Sequence, residues 1–160
     1  MEKINLKKLF NLEKYKINKN VLIVGSGRWS KEIVKEIILN FPNIKKIFIV
    51  TNHKKQFESW IPKNIKNIHF LSKIKNSNEI DCRFAIIANK NKDHLIYCRN
   101  LLKKKFNVLV EKPLLLNQNQ FKELINLSKQ NKRNIFLGLQ YTFAEYFTYL
   151  SKKINPIFLN

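Results

Sequence analysis

The chain has 160 residues, 44% of them hydrophobic and 12% aromatic, with a formal net charge of +20. That length suits one domain with its own core, and that apolar content excludes a disordered polymer. No apolar run reaches the ~18 residues of a membrane span, and the opening MEKINLKKLF has neither the apolar core nor the cleavage site of a secretory signal, so a cytoplasmic protein is expected.

Residues 1–19 read as a basic N-terminal extension with weak helical periodicity. VLIVGSG at 21–27 is an apolar run ending in glycines, which suits a buried parallel strand. RWSKEIVKEIILNF at 28–41 places Ile33, Val34, Ile37 and Ile38 at helical spacing, with Pro42 just past the end. KKIFIVTN at 45–52 is a second strand. A short helix holding Phe57, Trp60 and Ile61 follows, stopped by Pro62. NIHFLS at 67–72 and RFAIIAN at 83–89 are the third and fourth strands. KDHLIYCRNLLKKK at 92–105 is amphipathic, and NVLVEK from 107 is the fifth strand. NQNQFKELINLSKQN at 117–131 is a helix with capping-type Asn at its start. NIFLGLQ at 134–140 is the sixth strand, and FAEYFTYLSKKI at 143–154 a last helix. Strands alternating with helices predict an α/β fold: a Rossmann-type doubly wound parallel sheet in the order 3-2-1-4-5-6.

The first strand, turn and helix contain Gly25-Ser26-Gly27-Arg28-Trp29-Ser30. A dinucleotide fold uses G-x-G-x-x-G/A there. The first glycine permits the tight turn, the second lets backbone approach a pyrophosphate, and the third position needs a small residue. The helix N-terminus then offers free N–H groups and a positive dipole end to the phosphates. A glycine turn that merely packs well has the same residues. At the tip of the second strand an acid would accept from the ribose 2′-OH of NAD. Thr51-Asn52-His53-Lys54-Lys55 has none. A hydroxyl and an amide followed by cations, with Lys54 foremost, favour the 2′-phosphate of NADP(H) over NAD(H), unless these are solvated lysines only.

The charge invites a polyanion reading. It is spread along the chain, however, and comes from Lys; the arginines are Arg28, Arg83, Arg99 and Arg133. No helix-turn-helix, zinc-finger or RNA-binding motif is present, so no specific nucleic-acid partner is expected. Cys82 and Cys98 have no metal spacing and read as buried thiols. No metal site is expected.

Three blocks in order resemble the nucleotide-binding half of the Gfo/Idh/MocA family, the glucose–fructose oxidoreductases and inositol dehydrogenases. They are the glycine turn at 21–30, AIIANKNKDH, similar to a strand ending in A-T-P-N-x-x-H, and NVLVEKPL, similar to V-x-x-E-K-P. IFLGLQYTF resembles the strand after these, with Thr142 where the family often has Arg. The resemblance covers residues 20–150. It implies hydride transfer to or from a sugar-like or imine small-molecule substrate, with NADP or NAD as cofactor. It implies Lys112 as the catalytic cation acting on the substrate oxygen, desolvated enough to exchange a proton near neutral pH, with its ammonium beside Asn91 and the glycine turn. Glu111 would orient it or touch the cofactor, and a cis bond would precede Pro113. Ala88, Asn89, Asn91 and His94 would lie on the cofactor side, and Gln140 and Tyr141 would line the nicotinamide pocket. For His94 a helix-start role is an equal reading.

The resemblance also implies a second α/β domain carrying an acid–base histidine. Residues 151–160 stand where it would begin, and no His follows His94. A truncated or split enzyme is expected, completed by a homo-oligomer or by a complementing chain. A non-catalytic dinucleotide-binding module or partner subunit, and a basic polyanion-binding protein, are the alternatives.

Overall fold

The computed structural model describes residues 20–62 and 65–139. The expected extension at 1–19, Gln140, Tyr141 and Thr142, the helix at 143–154 and the segment 151–160 lie outside the described residues.

Six strands form one parallel sheet: β1 (Asn20–Val24), β2 (Lys46–Val50), β3 (Ile68–Leu71), β4 (Phe84–Ile87), β5 (Asn107–Glu111) and β6 (Ile135–Gly138). Their order is β3-β2-β1-β4-β5-β6, as expected, and every pairing is parallel. The helices are α1 (Arg28–Asn40), α2 (Lys54–Glu58), α3 (His94–Lys103) and α4 (Gln118–Asn131), with a 3₁₀ turn at Asn91–Asp93 leading into α3.

The central strands β2, β1, β4 and β5 are near-continuous apolar runs because both faces of the sheet are covered there. Alternate side chains serve opposite layers. Val21, Ile23, Ile47, Ile49 and Ile86 pack on Ile33, Val34 and Ile37 of α1 and Phe57 of α2. Leu22, Val24, Val50, Ile87, Val108 and Val110 pack on Cys98, Leu101 and Leu102 of α3 and Leu124 of α4. Helix α1 stops before Pro42, with the Phe41 N–H donating to the Ile37 carbonyl. Helix α4 starts with a capping box: Asn117 Oδ1 accepts from the Gln120 N–H at 2.9 Å, and Gln120 Oε1 accepts from the Asn117 N–H at 3.0 Å.

The link from β3 to β4 has no helix. It is anchored by Ile74, Ile80 and Cys82, all buried, and by the Asn20 amide, which donates to the Asp81 carbonyl at 2.9 Å. Both cysteines are buried, and burial pushes their thiols up to about 12, so neither is a nucleophile at neutral pH. Among the described residues no helix is long and apolar enough to cross a membrane. Because β1 and β4 are neighbours while their crossovers leave in opposite directions, a crevice opens at their carboxyl ends.

Candidate functional site

The crevice is a cleft of about 1060 Å³, walled by the glycine turn, the tip of β2 and the loop after β4. Gly25 has φ +122°, and a Cβ there would lie 2.7 Å from the Ala88 carbonyl oxygen, so no other residue fits. Its N–H donates to the Val50 carbonyl at 3.1 Å, and the Ala88 N–H donates to the Val24 carbonyl at 2.9 Å. Ser30 is fully buried, and its hydroxyl donates to the Ala88 carbonyl at 3.0 Å. The small residue at the motif's end thus supplies a bond as well as space.

Gly27 differs from Gly25. A Cβ on it would meet nothing within 4 Å. Its lack of a side chain serves no contact within the protein. It caps α1 without a side-chain bond, and no acid lies in the first turn. The first N–H groups of α1, from Arg28 and Trp29, have no intrahelical partner. An open space in front of free N–H groups fits a pyrophosphate.

At the β2 tip, the Thr51 hydroxyl donates to Ser26 Oγ at 2.7 Å and accepts from the His53 N–H at 2.9 Å. It ties the strand tip to the glycine turn. Thr51, Asn52, His53 and Gln56 line the cleft. Lys54 does not. It leads α2, bridges to Glu58 at 3.4 Å and lies 5.7 Å from the Phe70 ring centroid. The expectation that Lys54 lines the site is corrected: its position one turn before Glu58 turns it along the helix. Lys31 and Trp60, which the motif reading left out, take part instead; both line the cleft, with Lys31 Nζ 5.9 Å from the Trp60 ring centroid. Tertiary packing alone brings them together.

At the end of β4, Ala88 and Asn89 line the cleft along with Lys90, Lys92 and Asp93. Asn91 is exposed and stands outside its wall. His94 is 1% exposed, and its ring joins two carbonyls: Nδ1 is 3.1 Å from that of Pro113 and Nε2 is 3.2 Å from that of Asn89. A neutral imidazole has one N–H, so one carbonyl accepts and the other meets a lone pair; the imidazolium would satisfy both. With both nitrogens facing backbone, His94 does not face the cleft. The ring thereby bridges the loop after β4 and the turn after β5.

Lys112 follows the last residue of β5, and the Lys112–Pro113 bond is cis, as expected. Lys112 is exposed and is not part of the cleft wall; β5 lies two strand spacings, about 10 Å, from β1. The described residues therefore do not desolvate Lys112 as expected. Glu111, half-buried, has its pKa raised by burial. The Trp29 indole N–H, the Lys112 backbone and ammonium, and His94 offset part of that rise. Gly138 leaves the carboxylate room: a Cβ there would lie 3.0 Å from Glu111 Oε1.

Two buried polar atoms at the cleft have no hydrogen-bond partner, Trp29 Nε1 and Asn89 Oδ1. The Trp29 N–H lies near enough to the Glu111 carboxylate to lower its pKa, but falls short of hydrogen-bond geometry. One unmet donor and one unmet acceptor, beside an open glycine and a free helix end, fit a ligand rich in hydroxyl, amide and phosphate groups.

The comparisons agree with this geometry. No curated protein matches the chain. Solved structures share the fold. A scyllo-inositol dehydrogenase from Lactobacillus casei aligns with TM-score 0.63 at 18% identity, over 83% of this chain and 40% of that one. A UDP-N-acetylglucosamine 3-dehydrogenase from Acidithiobacillus ferrooxidans aligns with TM-score 0.66 at 12% identity, over 84% and 42%. A candidate NADPH-dependent oxidoreductase from Desulfitobacterium hafniense aligns with TM-score 0.68 at 14% identity, over 84% and 38%. The chain thus spans about two-fifths of the solved chains it matches. The family model described as an oxidoreductase family with an NAD-binding Rossmann fold matches residues 19–139. Strand order, glycine turn and matched span together place the chain in the Gfo/Idh/MocA oxidoreductase family, to whose NAD-binding Rossmann domain it belongs.

Proposed function

We propose that the chain binds NADP(H) in preference to NAD(H), as the nucleotide-binding half of an oxidoreductase acting on a sugar-like or imine substrate. The observation that carries this reading is Gly27 at the cleft, where a Cβ would meet no protein atom within 4 Å and the space before the helix N-terminus stays open. The N–H groups of Arg28 and Trp29 hold the pyrophosphate, and Thr51 and Asn52 meet the adenosine ribose. Asn89 Oδ1 and Trp29 Nε1 offer an acceptor and a donor toward the nicotinamide side. The β2 tip has no acid, which favours a 2′-phosphate. Two similar structures are dehydrogenases of scyllo-inositol and of UDP-N-acetylglucosamine, which supports a polyhydroxylated substrate.

The bound nicotinamide supplies or takes up the hydride. Lys112 acts on the substrate oxygen: its ammonium stabilises negative charge growing there and, in the reductive direction, hands over a proton. Glu111, adjacent in sequence and electrostatically coupled to Lys112, keeps that cation in place. The substrate-side wall, including an acid–base group, comes from a second domain or a complementing chain. Docking of that wall over β5 desolvates Lys112.

Titration with NADPH, NADH and single-stranded nucleic acid at two salt concentrations tests the reading. Saturable NADPH binding that survives the higher salt is the expected result. Nucleic-acid affinity falling steeply with salt beside absent NADPH binding would favour the polyanion reading. NADPH binding without turnover in the assembled protein would favour the non-catalytic module, a reading that the exposure of Lys112 already invites.

A further inference from the structure

We infer that the 2′-phosphate of NADP(H) is read from helix α1, by Lys31 held against Trp60, and not by the lysines that follow β2. The inference rests on the NADP(H) preference proposed above. It starts from the strand tip. Thr51 is engaged twice, donating to Ser26 and accepting from the His53 N–H. Lys54 has an ion-pair partner, Glu58, and lies against Phe70 with its side chain 60% exposed. Lys55 is exposed and outside the cleft wall. The cations that the residue order suggests for a phosphate therefore face elsewhere.

Lys31 lines the same cleft as that tip. It is half-buried in the first turn of α1 and lines the cleft with Thr51, Asn52 and Trp60. Its ammonium lies 5.9 Å from the Trp60 ring centroid. The indole face attracts the cation and restricts its long stem, so less freedom is lost when an anion arrives. No acid pairs with Lys31 among the described residues; the ion pairs there are Lys54–Glu58 and Arg99–Glu123. A cation that is ordered, partly desolvated and free of a carboxylate is suited to a doubly charged monoester. Arg28, on the exposed side of the same turn, is left to the pyrophosphate that both cofactors carry.

Lys31 thereby separates the two cofactors, and Trp60 acts through it as a positioning residue. The test measures dissociation constants of the full chain for NADPH, NADH, 2′,5′-ADP and 5′-ADP, with Lys31→Ala, Lys31→Arg, Trp60→Leu and Lys54→Glu beside the wild type. Lys31→Ala should weaken NADPH and 2′,5′-ADP about tenfold or more, as loss of a charge-assisted bond implies. NADH and 5′-ADP should stay within about twofold, Lys31→Arg should retain the preference, and Trp60→Leu should erode it in part. Equal weakening of all four ligands by Lys31→Ala, or a preference erased by Lys54→Glu and untouched by Lys31→Ala, would overturn the inference alone. A wild type that binds NADH as tightly as NADPH would overturn the preference, and this inference with it.

Discussion

Ser30 donates its buried hydroxyl to the carbonyl of Ala88 across 58 positions of sequence, at 3.0 Å. This bond locks the first turn of α1 to the end of β4, and so sets the height of the helix N-terminus above the cleft. Ser30→Ala should cost about 1–3 kcal/mol, the range for a buried acceptor left unmet. Urea unfolding would read it; an unchanged midpoint would show that the hydroxyl adds nothing beyond its size.

The two turn glycines should respond in opposite ways. Gly25→Ala puts a Cβ at φ +122° and 2.7 Å from a backbone oxygen, and should cost about 3 kcal/mol or more. Gly27→Val puts its Cβ where no protein atom lies within 4 Å, so stability should stay within about 1 kcal/mol, the scale of an N-cap change. Its NADPH binding should vanish in a calorimetric titration. Undiminished affinity in the folded variant would remove the pyrophosphate from this turn.

Glu111 makes stability depend on pH. Its folded-state pKa is raised above the ordinary 4.5 by burial, so the folded chain binds the proton more tightly than the unfolded one. The stabilisation this proton brings is fully present below 4.5 and is lost as pH rises through the higher folded value. Glu111→Gln should therefore be at least as stable as the wild type at pH 7 and lack this term in the mildly acidic range. Unfolding curves at pH 4, 5, 6 and 7 would check it; identical pH slopes in both proteins would refute it.

Lys112→Met should leave the fold and most of the NADPH affinity intact, because Lys112 is exposed and not part of the cleft wall. In an assembly with the activity proposed above it should lower hydride transfer about 10²–10⁴-fold, the scale of a lost proton donor. Single-turnover nicotinamide absorbance is the measurement. A rate unchanged by the substitution would take Lys112 out of the reaction.

The strand order was legible because both-face burial demands continuous apolar runs, and VLIV, IFIV, FAII and VLV read as nothing else. The backbone part of the site was legible too, since Gly25, Gly27 and Ser30 carry their roles in their spacing. Side-chain direction was not. Lys54 sits at the right residue number but turns toward Glu58, four places on. Lys31 and Trp60 meet through the packing of α1 against the segment after α2, and no local pattern records that. His94 has a motif-like spacing from Asn91, yet its partners are carbonyls at Asn89 and Pro113, the latter set by where β5 ends.

That imidazole has a mechanical consequence. One carbonyl it touches belongs to Asn89, in the cofactor wall; the other belongs to Pro113, directly after Lys112. The ring is rigid and enclosed, so it fixes the span between two loops that share no hydrogen-bonded strand pair beyond Ile87 and Val110. It works as a strut. The span between the Asn89 and Pro113 carbonyls is thus bridged by a rigid ring, and not by flexible chain alone. The cleft wall at Asn89 and the peptide after Lys112 are thereby tied to one another through one side chain.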